Sequence, residues 1–219
     1  MPTKKSNSQA ENLEQYRIAL ENAGTQTTIA SVLSELGYDK PEIDKGKVLL
    51  EVARTAYDFN KTEDDETLDA YAAFSDKKTE LETVYSLHRK KAKVIFRKEP
   101  VYLEKLGISG SLPRAYVNWM EIVKKFYNVS LEDTEIQNKL VRLKITVEDL
   151  TAAKTIISDL EVVRAEYIKE KGESQDATKT KDAALAKIDD WMSEFYAVAR
   201  IGLEDNPQLL EALGKIVKS

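Results

Sequence analysis

The chain has 219 residues, 42% apolar and 32% charged, with 33 lysines and arginines against 38 aspartates and glutamates and a formal net charge of −5. A chain of this length and apolar content buries a substantial core, and charges of both signs mixed along it describe a hydrated surface rather than an acidic tail or a basic nucleic-acid binder. With no cysteine, disulfides, thiolate metal sites and a cysteine nucleophile are excluded, and stability rests on packing.

The start, MPTKKSNSQAENLEQY, has lysines with no apolar run behind them, and no later stretch nears the roughly 18 apolar residues of a membrane span. The expectation is a cytoplasmic protein with a flexible tail over 1–9 and no membrane partner. Two short helices follow, the second within TTIASVLSEL at 27–36. Along 40–61, Ile43, Gly46, Leu50, Ala53 and Tyr57 recur at alternating spacings of three and four, and Leu49, Val52, Ala56 and Phe59 widen the stripe. FNKTEDDETLD at 59–69 lacks apolar periodicity and reads as a solvated tip. A helix over 66–98 then carries Leu68, Tyr71, Phe74, Leu81, Val84, Tyr85, His88, Ala92 and Ile95 on one side. Glu99 and Pro100 open a short helix that Gly107 closes.

GISGSLP at 107–113 has neither the GxxxxGK[ST] pattern nor the adjoining strand of a phosphate loop, and reads as a linker. Beyond it, Tyr116, Trp119, Phe126 and Tyr127 crowd one helix, and TEIQNKLVRL at 134–143 forms the next. LEVVRAEY at 160–167 lies in a third, before a second polar tip, KGESQDATKTKD at 171–182. The helix over 179–204 carries Leu185, Ile188, Trp191, Met192, Phe195, Val198 and Ala199. Asn206 and Pro207 suit the N-cap and first position of a closing helix, and Gly214 its C-cap. No long β-branched alternation argues for a sheet.

The two series repeat one another. EPVYLEKLG at 99–107 returns as NPQLLEALG at 206–214, and six of the sixteen positions from Ala92 to Gly107 are identical to those from Ala199 to Gly214. TTIASVLSEL meets TEIQNKLVRL at the same offset of 107, whereas LEVARTAY at 50–57 meets LEVVRAEY at an offset of 110. Self-similarity of this kind is the signature of duplicated architecture. The expected fold is all-α: an internally duplicated antiparallel helical bundle with repeats at 10–108 and 109–219, each a long helical hairpin plus shorter helices, related by a pseudo-two-fold. WMSEFYAVARIGLEDNPQLLEALG at 191–214, EKGESQDATK at 170–179 and GYDKPEIDKG at 37–46 resemble a group of uncharacterised duplicated helical proteins found in Bacteroidetes genomes. The resemblance implies a helical duplicated fold in a bacterial cytoplasm and carries no activity.

Chemistry is tested residue by residue. A di-iron bundle needs two Glu-x-x-His motifs, and this chain has one histidine, His88, preceded three positions earlier by Tyr85. A two-histidine zinc site fails for the same reason, and no GxSxG elbow accompanies His88 for nucleophilic catalysis. His88 lies on an apolar face and reads as a core histidine. Glu63-Asp64-Asp65-Glu66 lacks the spacing and glycine of a calcium loop and reads as a solvated helix start. HRKKAK at 88–93 is the strongest basic run, but it falls in the last turns of a helix, where cations are favoured, so nucleic acid is not expected. Most aromatics should be core. Tyr116, Trp119, Tyr127, Trp191, Tyr196 and His88 are the candidate binding residues, with no catalytic, metal or cofactor residue assigned. The leading reading is a non-catalytic interaction or scaffold protein with a protein partner, a homodimer being one form. A small-molecule-binding bundle with a pocket between the repeats is second, and an enzyme third.

Overall fold

The computed structural model describes residues 7–215. Among them the elements are α1 (Gln9–Thr25), α2 (Thr27–Glu35), α3 (Lys40–Ile95), α4 (Pro100–Lys105), α5 (Tyr116–Glu132), α6 (Thr134–Leu140) continued by a 3-10 turn (Val141–Leu143), α7 (Val147–Gly202) and α8 (Leu209–Ala212), with no strand. The chain is all-α. No helix among the described residues is long and apolar enough to cross a membrane. Of the tail expected over 1–9, residues 1–6 lie outside the described residues, and Ser8 caps α1.

Local chemistry sets the helix ends. At α1 the Ser8 amide donates to the Glu11 carboxylate at 2.7 Å while the Glu11 amide donates to the Ser8 hydroxyl at 3.2 Å, a reciprocal capping box. Thr146 and Asp149 do the same for α7, at 2.9 and 3.2 Å. Asp133 accepts from the amides of Glu135 and Ile136 to start α6. The ends of α4 and α8 turn on Gly107 and Gly214, whose φ values of 69° and 75° suit glycine. Lys144, at φ 56°, makes the same left-handed turn after the 3-10 segment without glycine's freedom. Pro100 stands in the first turn of α4 as expected, but α8 begins only at Leu209. There the amides of Leu209 and Leu210 bond back to the carbonyls of Asn206 and Pro207, and these i-to-i+3 bonds make Pro207 part of a tight lead-in turn.

The long hairpins expected within each repeat are not present. Both supposed tips are helix interior: 59–69 lies inside α3 and 171–182 inside α7, each an uninterrupted helix of 56 residues. The stretches lack apolar periodicity because their contacts are polar. The Asn60 amide donates to the Thr178 hydroxyl at 3.1 Å and its oxygen accepts from Lys181 at 2.8 Å, while Ser174 donates to Asp64 at 2.6 Å. The acidic run is therefore no helix start, and Glu63 within it is buried. Four residues assigned to apolar stripes are also solvent-facing: Val52 and Phe59 in the first part of α3, Leu68 and Tyr71 further along.

The chain forms two compact units, Met1–Asp65 with Gly172–Ser219, and Glu66–Lys171. The repeats at 10–108 and 109–219 divide the sequence differently, since the unit boundaries cut through α3 and α7. The first unit takes its core from α1, α2, the first part of α3 and the second part of α7, with Leu20, Ile29, Leu33, Ile43, Ile188, Met192, Phe195 and Leu213 at its centre. The second unit takes its core from the second part of α3, the α4 region, α5, α6 and the first part of α7, around Leu81, Tyr85, Phe96, Leu106, Val123, Phe126, Tyr127, Ile136, Leu140 and Leu160.

Candidate functional site

In the first unit, Trp191 and Tyr196 are committed to packing. The Trp191 ring stacks on Phe195 at 5.5 Å with 11° between planes, and Tyr38 meets both rings edge-on at 5.4 and 5.5 Å. The indole N–H donates to Glu42 at 3.2 Å. Hydrogen bonds from Lys45 first and from Trp191 second hold the Glu42 carboxyl below its ordinary pKa. The indole lies against Gly46, where an added Cβ would fall 2.5 Å from the ring. Tyr196 donates to the Leu213 carbonyl at 3.2 Å and carries the Lys215 ammonium over its ring at 3.7 Å. Burial raises its pKa, so the hydroxyl remains a donor.

The same unit exposes a row of which two members, Val52 and Phe59, were expected in the core-facing stripe. Val48, Val52 and Phe59 on α3 are 58, 52 and 52% exposed, and Thr55 between them is exposed as well. The spacing of four, three and four through Val48, Val52, Thr55 and Phe59 is that of the seam of a two-helix coiled coil. Along one flank, seven residues apart, stand Asp44, Glu51 and Asp58. Asp44 is paired with Lys40 and Asp58 with Arg54 on the helix surface. Inward-facing Ile43, Gly46 and Ala53 supply a complete buried stripe, so Val52 and Phe59 are surplus to packing. The sequence signal is a pair of adjacent apolar rows, and burial shows which of the two faces outward.

In the second unit, His88 and Tyr127 are brought together. His88 Nδ1 lies 3.1 Å from the Tyr127 hydroxyl, and His88 is 7% exposed. Burial holds the imidazole pKa below its ordinary value, partly opposed by Asp149, so the ring is neutral near pH 7. Tyr127 is fully buried and packs against Phe126 and Tyr85, at 5.1 and 6.1 Å between ring centres.

Tyr116 and Trp119, at the start of α5, meet at 6.0 Å and line an open groove of about 400 Å³ with Tyr85, Leu112, Pro113, Lys78, Glu82, Ser86 and Arg114. Lys78 sits 5.7 Å over the Trp119 ring and pairs with Glu82 at 2.5 Å. The linker wall is anchored by Arg89, which donates to the Gly110 carbonyl. Tyr85, beneath the groove, is 1% exposed, and its inaccessible hydroxyl has the Arg89 side chain as its hydrogen-bonding neighbour. Burial pushes its pKa up to about 12, against the pull of the nearby Arg89 guanidinium. Tyr116 also carries Arg164 over its ring at 4.2 Å, and burial raises its pKa as well. Tyrosines perturbed in this direction donate hydrogen bonds rather than accept protons. The other candidates, Tyr127 and His88, are buried and do not line the groove. Tyr85 was assigned to the core stripe, and only the fold brings it beside Trp119.

Compared with protein-family models, curated proteins and solved structures, the chain matches none.

Proposed function

We propose that this is a non-catalytic interaction protein, built by internal duplication, that presents the α3 seam of Val48, Val52, Thr55 and Phe59 to an amphipathic helix of a partner protein. The observation that carries the reading is the seam itself: large apolar side chains at coiled-coil spacing, more than half exposed, on a helix whose inward stripe is already filled. The acidic flank of Asp44, Glu51 and Asp58, whose own pairs with Lys40 and Arg54 are solvent-exposed and weak, selects the occupant, a helix carrying lysine or arginine beside its apolar stripe. A second copy fits less well. Antiparallel self-pairing sets acid against acid, and parallel self-pairing sets the acids against Leu49 and Ala56, which are turned inward and offer no cation.

Several regularities support the duplication. α5, α6 and α7 begin 107 positions after α1, α2 and α3, and α3 and α7 have equal lengths of 56 residues. The left-handed turns at Gly37 and Gly107 recur at Lys144 and Gly214. Buried Leu33, Ala53, Leu81 and Ala92 fall in register with buried Leu140, Leu160, Ile188 and Ala199, and even buried Glu63 with buried Glu170. A single register of 107 accounts for the long helices throughout, so the match of LEVARTAY to LEVVRAEY at 110 reflects shared composition. The pairings Glu42 with Trp191, Asn60 with Thr178 and Asp64 with Ser174 in one unit, and Thr67 with Glu170 and Lys77 with Asp159 in the other, support antiparallel packing within each.

The test is capture from the native cell with the wild-type chain and with Val52→Glu/Phe59→Glu as parallel baits, followed by cross-linking. The proposal requires a protein retained only by the wild type whose cross-linked segment is an amphipathic helix with basic flanks and maps to residues 45–62. Equal retention by both baits, self-association as the sole event lost, or cross-links elsewhere would overturn it.

A further inference from the structure

A second face of α3, in the unit Glu66–Lys171 and independent of the seam at 48–59, carries the opposite charge. From 83 to 98 the chain has no acidic residue. Lys90, Arg97 and Lys98 are exposed there, and Lys91 and Lys93 half-buried. Among the described residues none of these five cations forms an ion pair, and Lys91 donates to the Lys144 carbonyl at 3.4 Å. The helix dipole does not account for such a run, since it rewards cations within the last turn alone. α7, of equal length, ends with one cation, Arg200, among Glu194, Glu204 and Asp205. Amid the cations of α3 stand two large apolar side chains, Leu87 and Val94, 52 and 55% exposed and seven residues apart. Thr83, Leu87, Lys90 and Val94 follow at spacings of four, three and four, those of a two-helix seam. Leu81, Tyr85, His88 and Ala92 already fill the buried side of the same stretch. Toward its start the face forms a shallow groove of about 430 Å³ along Thr79, Thr83, Ser86, Leu87 and Lys90, where the acid on its edge, Glu82, is paired with Lys78 at 2.5 Å.

We infer that this face docks an acidic amphipathic helix of a partner protein, with an aliphatic residue in each heptad against Leu87 and Val94, and aspartate or glutamate opposite Lys90 and along both flanks. Charge complementarity selects this occupant: single exposed pairs are weak, but five cations with no acid among them form one field that steers an anionic helix and sets its register. Nucleic-acid phosphates would meet the cations and leave Leu87 and Val94 with nothing apolar to cover them. A lipid surface calls for a broader apolar face with aromatic anchors, which two aliphatic side chains do not provide. A second copy of this chain has an acidic seam of its own, but it would set Val48, Val52, Thr55 and Phe59 opposite Lys90 with no carboxylate among them, and its acids Asp44, Glu51 and Asp58 stand along one flank. The two faces of α3 therefore take helices of opposite charge, and loss of one leaves the other intact.

The experiment titrates isotope-labelled full-length protein with a helical peptide of about three heptads, carrying leucine at one seam position and glutamate at the other and on both flanks. Its lysine-for-glutamate counterpart, polyglutamate, a short DNA duplex and phosphatidylserine vesicles are titrated in parallel. The acidic amphipathic peptide should give saturable amide shifts confined to residues 79–98, with Kd below about 1 mM, and the lysine counterpart should give none. Lys90→Gln/Arg97→Gln and Leu87→Ser/Val94→Ser should each weaken the peptide about tenfold, while Phe59→Glu leaves it unchanged. All four positions are exposed, so circular dichroism and Tm should stay at wild-type values in these variants. The inference is overturned if the peptide gives no saturable shift, if the shifts map elsewhere, or if Leu87→Ser/Val94→Ser leaves the affinity unchanged. It is equally overturned if polyglutamate binds as tightly, if DNA or vesicles bind more tightly over the same residues, or if sedimentation shows the free chain self-associating through this face.

Discussion

Gly46→Ala is the sharpest perturbation of the first unit, because two effects of opposite sign meet at one atom. In an unobstructed helix interior the exchange stabilises by about 1 kcal/mol, since alanine loses less backbone entropy. At Gly46 the new Cβ would lie 2.5, 2.7 and 2.9 Å from three carbons of the Trp191 ring, a rigid group that cannot yield by a side-chain rotation alone. Overpacking of this kind costs about 1 to 3 kcal/mol. Displacing the ring also weakens its hydrogen bond to Glu42 and its stack on Phe195, the stack being worth about 1 kcal/mol. The net expectation is a loss of about 1 to 3 kcal/mol by denaturant unfolding. Gly172→Ala is the internal control: it too is helix interior, but its added Cβ meets nothing within 4 Å, so it should gain about 1 kcal/mol. Trp191→Phe should remove most of the penalty at residue 46. Stabilisation by Gly46→Ala equal to that of Gly172→Ala would refute the close packing of Trp191.

The remaining expectations concern each core and the long helices. Because burial lowers the His88 pKa below its ordinary value of 6.5, the unfolded chain binds the proton first. Its contribution to stability is full above about pH 7 and declines as pH falls below about 6.5 toward the folded-state value. Tm measured against pH should show this slope, and His88→Phe should flatten it. Leu106 and Leu213 are fully buried in different cores, whereas Leu103 and Leu210, the leucines of the repeated phrase inside the short helices, are only half-buried. Leu106→Ala and Leu213→Ala should each cost about 2 to 5 kcal/mol, read by hydrogen exchange in the affected core, and a cost below about 1 kcal/mol at both would contradict the core assignment. Asp65→Pro, placed mid-helix in α3, should cost about 3 kcal/mol or more; near-neutrality in chemical denaturation would restore the solvated tip.

Residue patterns made the helical class legible, together with several helix starts and stops: Pro100, Gly107 and Gly214 are punctuation that local physics dictates. They did not reveal the continuity of α3 and α7. Asn60, Asp64, Ser174 and Thr178 pack by hydrogen bonds, so the apolar period that marks a buried helix is missing where it was sought. No glycine or proline interrupts 59–69, and the single glycine in 171–182 stays helical, which was the local clue against a turn. At the candidate site, Tyr116 and Trp119 share a helix and were visible as neighbours, with Arg114 just ahead of them, whereas Tyr85 joins them only through the fold. Val52 and Phe59 were grouped with the inward stripe because period alone cannot tell two adjacent apolar rows apart; burial separates them.

The most direct measurement is photo-cross-linking in the native cell with a photoreactive amino acid placed at Phe59, and at exposed Ile201 in the same unit as control. The account predicts one dominant adduct at position 59 to a basic, amphipathic helical segment of another protein, with none at 201. An absence of adducts at 59, or the same adducts at both positions, would contradict the proposal that α3 is a docking surface.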